Sequence, residues 1–204
     1  NIMGKSKLLA EKFVIDSKKL VKNKKIKISA IRFGNVIGSR GSVIPYYLSL
    51  VKSNINQIPL THKDMTRFMI TLDTGIDFVL DCLNRMKGGE IFIPKIKSIK
   101  IVDLIKNLFS NKKIKNIGIR PGEKIHELLT TKDESHLILN FKKFYLLKPS
   151  IVFDKPNKYN NYNGEFGKIV NSDFELSSDS QYALMKEKEI NNLIKKIKKK
   201  IINE

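Results

Sequence analysis

Lys7 stands four residues after Met3, at the front of a segment whose apolar spacing predicts a helix, so the two share a face one turn apart. A surface ion pair between Lys7 and Glu11 is the plain reading of such a lysine. Arginine is scarce: Arg32, Arg40, Arg67, Arg85 and Arg120 are the five among 39 basic residues. A guanidinium meets oxyanions through a planar fork, whereas lysine acts as a point charge. Asn35 follows a predicted strand, where ligands of open α/β sheets bind, although asparagine also serves as a turn residue. The stretch Gly38-Ser39-Arg40-Gly41-Ser42 has the composition of a loop that presents backbone N–H groups to an anion, or of a flexible connection. His62, His126 and His136 lack metal-ligand spacing, and Cys82 has no nearby Cys or His partner.

The elements that must position these residues alternate between helical and extended patterns. Helices are expected from Met3 to about Val21 with Leu9, Phe13 and Leu20 on one face, across Pro45 to Lys52, and from Thr71 to Met86. In the last, Leu72, Ile76, Val79, Leu80 and Leu83 form the expected buried stripe, opposite Asp73, Asp77 and Asp81. Another helix carries Ile101, Leu104, Ile105 and Leu108, and a short one is expected from Glu123 to Leu129. Strands are expected at Ile26 to Phe33, Glu90 to Ile93, Ile114 to Ile119 and Phe144 to Leu147, the last of the set. Residues 154–172 read as an extended, poorly packed connection. A basic amphipathic helix with Ile190, Leu193, Ile194, Ile197 and Ile201 follows, suited to packing on the domain or to lying on an anionic membrane; packing is the preferred reading. Pattern alone yields an α/β or α+β domain.

Composition narrows the function. The 204 residues carry a formal charge of +19 and are 41% hydrophobic, which excludes a disordered polycation. The charge is mostly lysine in an isoleucine- and asparagine-rich background, with no zinc-finger spacing or aromatic-interleaved basic patch, so nucleic acid is not the expected partner. No apolar run suffices for an integral membrane segment. The lone cysteine excludes an intrachain disulfide framework and suits the cytoplasm. The opening residues lack a signal segment and enter helical periodicity at once, as expected of a chain cut inside a larger fold.

Five blocks in order carry a resemblance. They are Asn1-x-Met3-Gly4-x-Ser6-Lys7-x-x-x-Glu11-Lys12, then Arg32-Phe33-Gly34-Asn35-Val36-x-Gly38-Ser39-Arg40-Gly41-Ser42-Val43-Ile44-Pro45, and Thr61-His62-x-Asp64-Met65-Thr66-Arg67-Phe68. Gly88-Gly89-Glu90-Ile91-Phe92 and Arg120-Pro121-Gly122-Glu123-Lys124 complete the set. Over roughly residues 1–150 the set resembles the inverting UDP-N-acetylglucosamine 4,6-dehydratases and CapD-like polysaccharide biosynthesis proteins, within the extended short-chain dehydrogenases/reductases.

The resemblance implies the C-terminal part of a Rossmann-like NAD(P)-binding domain plus a small α+β substrate-binding subdomain. Its expected division is residues 1–42 as the end of the dinucleotide domain, 43–150 as the nucleotide-sugar subdomain interleaved with the last Rossmann elements, and 151–204 as connection and basic helix. It implies an enzyme, homo-oligomeric at full length, that oxidises C4 of a UDP-sugar with NADP or NAD, eliminates water across C5 and C6, and returns the hydride to C6. Lys7 would bond the nicotinamide ribose and lower the pKa of a neighbouring acid–base group, with Phe33 also on the cofactor side. Asn35, Ser39, Arg40, Arg67, Arg120 and Glu123 would hold the substrate, Glu123 through the nucleotide ribose and the arginines, Arg32 among them, through the diphosphate. Met3 occupies the place where such dehydrogenases usually carry tyrosine, and a thioether cannot move a proton. In relatives with methionine there, an Asp-Lys pair before the helix does the proton transfers. That pair and a G-x-G-x-x-G loop are absent from these 204 residues, so the chain alone is expected to be catalytically silent. An epimerase or reductase of the same superfamily, or a basic binding module, are the rival readings.

Overall fold

The computed structural model describes residues 2–17, 26–150 and 159–202. Its first half contains α1 (Ile2–Ser17), β1 (Ala30–Ile31), β2 (Asn35–Val36), α2 (Val43–Lys52), β3 (Gln57–Leu60), β4 (Thr66–Ile70) and α3 (Leu72–Arg85). Then come β5 (Ile91–Pro94), β6 (Lys97–Lys100), α4 (Ile101–Leu108), β7 (Lys113–Asn116) and β8 (Leu128–Thr130). A 3-10 turn (Lys132–Leu137) leads into β9 (Ile138–Asn140) and β10 (Phe144–Leu147). Four short strands, β11 (Asn161–Tyr162), β12 (Glu165–Phe166), β13 (Lys168–Ile169) and β14 (Leu176–Ser177), precede α5 (Glu187–Ile202). The mixed α/β expectation holds. The chain forms two compact units, one of residues 1–33, 73–95 and 129–176, the other of residues 34–72, 96–128 and 177–204.

The first unit is built on the sheet β1-β5-β10-β9-β13. β1 runs parallel to β5, with Ala30 opposite Ile91 and Ile31 opposite Phe92. β10 is antiparallel to both β5 and β9. Its core is aromatic: Phe92, Phe141, Phe144 and Tyr162 are buried, and the rings of Phe141 and Phe144 stack with centroids 4.7 Å apart. Burying each such ring contributes about 2 kcal/mol or more. Tyr159 is buried as well, its hydroxyl donating to the carbonyl of Gly88 at 2.7 Å. The stretch 159–162 is therefore anchored in the core, against expectation, because two tyrosines supply the apolar area that a count of asparagines and lysines conceals, whereas Phe166 and Ile169 farther on are exposed; residues 154–158 lie outside the described residues.

Two helices depart from the expected faces. On α3 the packed side is Gly75, Phe78 and Cys82, whereas Leu72, Ile76, Val79, Leu80 and Leu83 are exposed, Leu83 at 59%. Small residues at 75 and 82 let the helix approach its neighbours, and periodicity cannot say which of two apolar faces does so. On α1, Leu9 and Phe13 are 70% and 72% exposed; Leu20 lies outside the described residues. The expected strand from Ile26 shortens to Ala30–Ile31.

The second unit combines the sheet β2-β4-β6 with the parallel pair β3-β7. β2 is parallel and β6 antiparallel to β4. Ile58, Leu60, Met65, Leu104 and Ile105 make its core, and Leu193, Ile194 and Ile197 of α5 are buried in the same cluster. The tail helix thus packs on the domain, as preferred. No helix appears at Glu123–Leu129; the chain there is a turn leading into β8, since its carbonyls are engaged by another strand's donors. Phe144–Leu147 is a strand, but strands follow it.

Candidate functional site

Gly34 opens the path into the site of the second unit. A Cβ on it would sit 2.3 Å from the Cβ of Phe68 and 2.6 Å from that residue's carbonyl oxygen. Only glycine lets the chain lie this close to β4. Asn35 then pairs with Met69 and Val36 with Ile70. The chain next turns through Gly38 and Gly41, whose φ angles of 77° and 75° suit residues without a Cβ. Ser42 follows as the N-cap of α2. Asn35, Ser42 and the start of α2 reach one wall of a cavity of about 560 Å³.

The remaining walls come from three elements. Tyr46 and Tyr47 project from α2, their ring centroids 5.5 Å apart. Thr61, Met65 and Arg67 come from β4 and the turn before it, and Arg120 and Glu123 from the turn after β7. That last turn is closed locally: the Glu123 amide donates to the Arg120 carbonyl at 3.0 Å, and the Arg120 amide to Glu123 Oε2 at 3.3 Å. Burial pushes the Tyr47 phenol up to about 12, with Tyr46 and Glu123 adding to the shift and Arg120 and Arg67 opposing it. Tyr47 therefore stays a neutral donor at the cavity. Ser42 Oγ is buried and has no hydrogen-bond partner among the described residues.

Arg67 is held from behind. Its Nη1 donates to the carbonyls of Thr66 at 2.7 Å and Ile125 at 3.0 Å, and Nη2 to that of Lys124 at 2.8 Å. Its Nε lies 3.5 Å from Glu127 Oε1. Burial raises the Glu127 carboxyl, with Arg67 acting against that shift. With three of its five N–H groups on carbonyls, Arg67 offers a ligand an oriented charge more than a free fork.

Of the residues singled out in the sequence, Asn35, Arg67, Arg120 and Glu123 line the same cavity. Ser39 and Arg40 are exposed in the preceding turn and do not line it. Lys7 and Phe33 belong to the first unit: Lys7 is exposed one turn after Met3 on α1, and Phe33 is half-buried. Arg32 is structural rather than phosphate-binding, because it is bonded to Glu11, Glu134 and the Leu129 carbonyl. Sequence reading named Ser42 only as the end of the Gly38–Ser42 loop and gave no role to Tyr46, Tyr47 or Thr61; an N-cap serine ahead of two tyrosines one turn into a helix was the available signal. Among the described residues no cluster of His, Cys, Asp or Glu is arranged to hold a metal, and no helix is long and apolar enough to cross a membrane.

Known proteins give this arrangement a family. The model of the polysaccharide biosynthesis protein family matches residues 1–149. A UDP-N-acetylglucosamine 4,6-dehydratase (inverting) of Campylobacter jejuni is 43% identical over 196 residues, covering 95% of this chain and 59% of that protein. The capsular polysaccharide biosynthesis protein CapD of Staphylococcus aureus is 42% identical over 153 residues, covering 71% of this chain and 25% of that one. The crystal structure of Pen from Bacillus thuringiensis superposes with a TM-score of 0.79 at 30% identity, over 96% of this chain and 58% of that one. The chain thus spans about three fifths of the length of the dehydratase it matches. With the parallel β1-β5 pairing, the likeness makes the fold Rossmann-like α/β. The chain belongs to the polysaccharide biosynthesis protein family.

Proposed function

We propose that this chain is the nucleotide-sugar-binding part of a UDP-N-acetylglucosamine 4,6-dehydratase. The observation that carries the reading is the cavity: two arginines, a helix N-terminus without an acidic residue in its first turn, and a pair of tyrosines converge on it. A UDP-sugar needs these three kinds of wall. Arg67 and Arg120 supply positive charge for the diphosphate. The N-terminus of the ten-residue α2 adds the positive end of its dipole, with its N-cap Ser42 in the cavity wall. Tyr46 and Tyr47 offer flat apolar area to a base, and Glu123 accepts from a ribose hydroxyl.

On the cofactor side the residues present fit a nicotinamide dinucleotide in part. Side chains Lys5 to Ala10 of α1 are exposed, so the Lys7 ammonium is accessible to a ribose hydroxyl. The G-x-G-x-x-G cradle for the pyrophosphate is not among these 204 residues. When bound, NADP or NAD supplies the acceptor and donor of hydride for C4 oxidation and C6 reduction. The chain's own part is to hold the sugar nucleotide by its diphosphate and base, and to place the Lys7 charge where it favours deprotonated forms nearby. Met3 moves no proton, so the acid–base work falls to groups other than the helix face that carries it.

Calorimetric titration with UDP tests the reading. The protein should bind UDP saturably and Arg67→Ala should weaken that binding at least tenfold; no binding by the unsubstituted protein overturns the proposal. Incubating the 204-residue chain with UDP-N-acetylglucosamine and NADP⁺ should yield no 4-keto-6-deoxy sugar, and robust product would refute the assigned division of labour.

A further inference from the structure

The cage around Arg67 depends on a residue far away in sequence. The carbonyls that hold its guanidinium belong to Thr66 and to the segment 124–127, which is neither helix nor long ladder. Two things fix that segment to β4. The Thr66 amide donates to the Ile125 carbonyl at 3.0 Å. Ser178 then clamps both from one side: its amide donates to the Glu127 carbonyl at 2.8 Å, and its Oγ accepts from the Glu127 amide at 2.8 Å. The same Oγ lies 2.6 Å from Thr66 Oγ1 and 3.3 Å from the Thr66 carbonyl, which also accepts from Arg67.

Ser178 is itself immobilised. It is fully buried, and its carbonyl accepts from Ser98 Oγ at 2.6 Å. Thr66 Oγ1 is also 2.8 Å from His126 Nδ1. Hydroxyl groups at these positions cost desolvation unless every one is bonded, and here they satisfy one another. Ser178 lies beyond residues 1–149, the part that the family model matches.

We propose that Ser178 is a positioning residue for substrate binding, which sets the orientation of the Arg67 guanidinium through Thr66 and Glu127. The proposal rests on the reading of Arg67 as a phosphate contact. Removing the hydroxyl orphans the Glu127 amide and leaves Thr66 Oγ1 with His126 Nδ1 alone, so segment 124–127 loosens and the arginine loses its fixed aim.

A double-mutant cycle on UDP affinity is the test, with Ser178→Ala, Arg67→Ala and both together, and thermal melts on each. Ser178→Ala should weaken UDP about tenfold, or about 1.4 kcal/mol, in the unsubstituted protein and less than about twofold when Arg67 is already alanine. A lower melting temperature with unchanged UDP affinity, or equal losses in both backgrounds, overturns the proposal. Should Ser178→Ala fail to fold, Thr66→Val removes the hydroxyl partner while keeping volume, and the same coupling to Arg67 is expected. If Arg67→Ala alone leaves UDP affinity intact, the phosphate reading fails and this inference with it. That arm separates the two failures.

Discussion

Arg32 grips Glu11 through two bonds, Nε to Oε2 and Nη2 to Oε1, each 2.7 Å long. Its other edge meets Glu134, at 3.0 Å from Nη1 and 2.8 Å from Nη2, and Nη1 also reaches the Leu129 carbonyl at 3.0 Å. One guanidinium thus ties α1 and the 3-10 turn at 132–137 to the end of β1. It is a fastening inside the first unit, and the only task its geometry leaves open is holding the unit together. Arg32→Lys cannot reproduce the bidentate pair and leaves a half-buried carboxylate short of donors. It should cost about 2–3 kcal/mol of stability and leave UDP affinity unchanged, read by denaturant melts beside titration. Loss of UDP binding without loss of stability would return Arg32 to the ligand.

The same cluster sets an acid limit. Burial alone would raise the Glu134 carboxyl, but bonds from Arg32 and from the Thr131 amide outweigh it and hold the carboxyl below its ordinary value. A carboxyl depressed in the folded state stabilises the fold above its unfolded pKa, and that contribution disappears as pH falls through the folded value. Stability should therefore drop on acidification below about pH 4.5. In Glu134→Gln the drop should be shallower, starting from a lower plateau at neutral pH. Parallel pH profiles for the two proteins would show that Glu134 carries none of it.

Arg67 and Arg120 differ in how they are held, which predicts different responses to lysine. Arg67 is braced by three carbonyls, and a lysine ammonium can neither span them nor keep the aim. Arg120 is exposed in its turn, where a point charge serves nearly as well. Arg67→Lys should weaken UDP tenfold or more, about 1.4 kcal/mol, and Arg120→Lys by less than about threefold. Equal losses would mean that charge alone matters at both places.

Exposure on α3 makes a prediction that periodicity would have reversed. Leu80 and Leu83 are 52% and 59% exposed, while Leu104 of α4 is fully buried. Leu83→Ser should lie within about 0.5 kcal/mol of the parent protein, and Leu104→Ala should cost about 3 kcal/mol. A large loss at Leu83 in a concentration-dependent melt would show that the stripe is covered by a second copy in solution.

What the sequence made legible follows from range. Local patterns located α2, α4 and α5 well, since 3.6-residue spacing acts within one element. Ordered blocks brought Asn35, Arg67, Arg120 and Glu123 to one cavity. Long-range relations were not legible. The partner of Arg32 is 102 residues away in Glu134, and Ser178 meets Thr66 across 112. No local signal distinguishes such serines from any others. Segment 124–127 misled for the same reason: its residues suit a helix, but its carbonyls serve donors on β4.

Gly34 joins stability and ligand binding in one atom. Alanine there would drive a methyl group to 2.3 Å from Phe68 Cβ and 2.6 Å from its carbonyl oxygen, and neither is the flexible end of a side chain. Relief requires β2 to move away from β4, yet Asn35 and Val36 pair with Met69 and Ile70 in that ladder. Asn35 lines the cavity beside Arg67, so the shift also displaces a wall of the site. Gly34→Ala should cost about 2–3 kcal/mol, and its surviving folded fraction should bind UDP more weakly than the parent protein. By contrast, Gly118→Ala meets nothing within 4 Å and bears only the strain of its φ of 83°, so it should lose about 1–2 kcal/mol and keep its UDP affinity. If Gly34→Ala melts lower but binds UDP as before, the close approach to Phe68 serves the sheet alone.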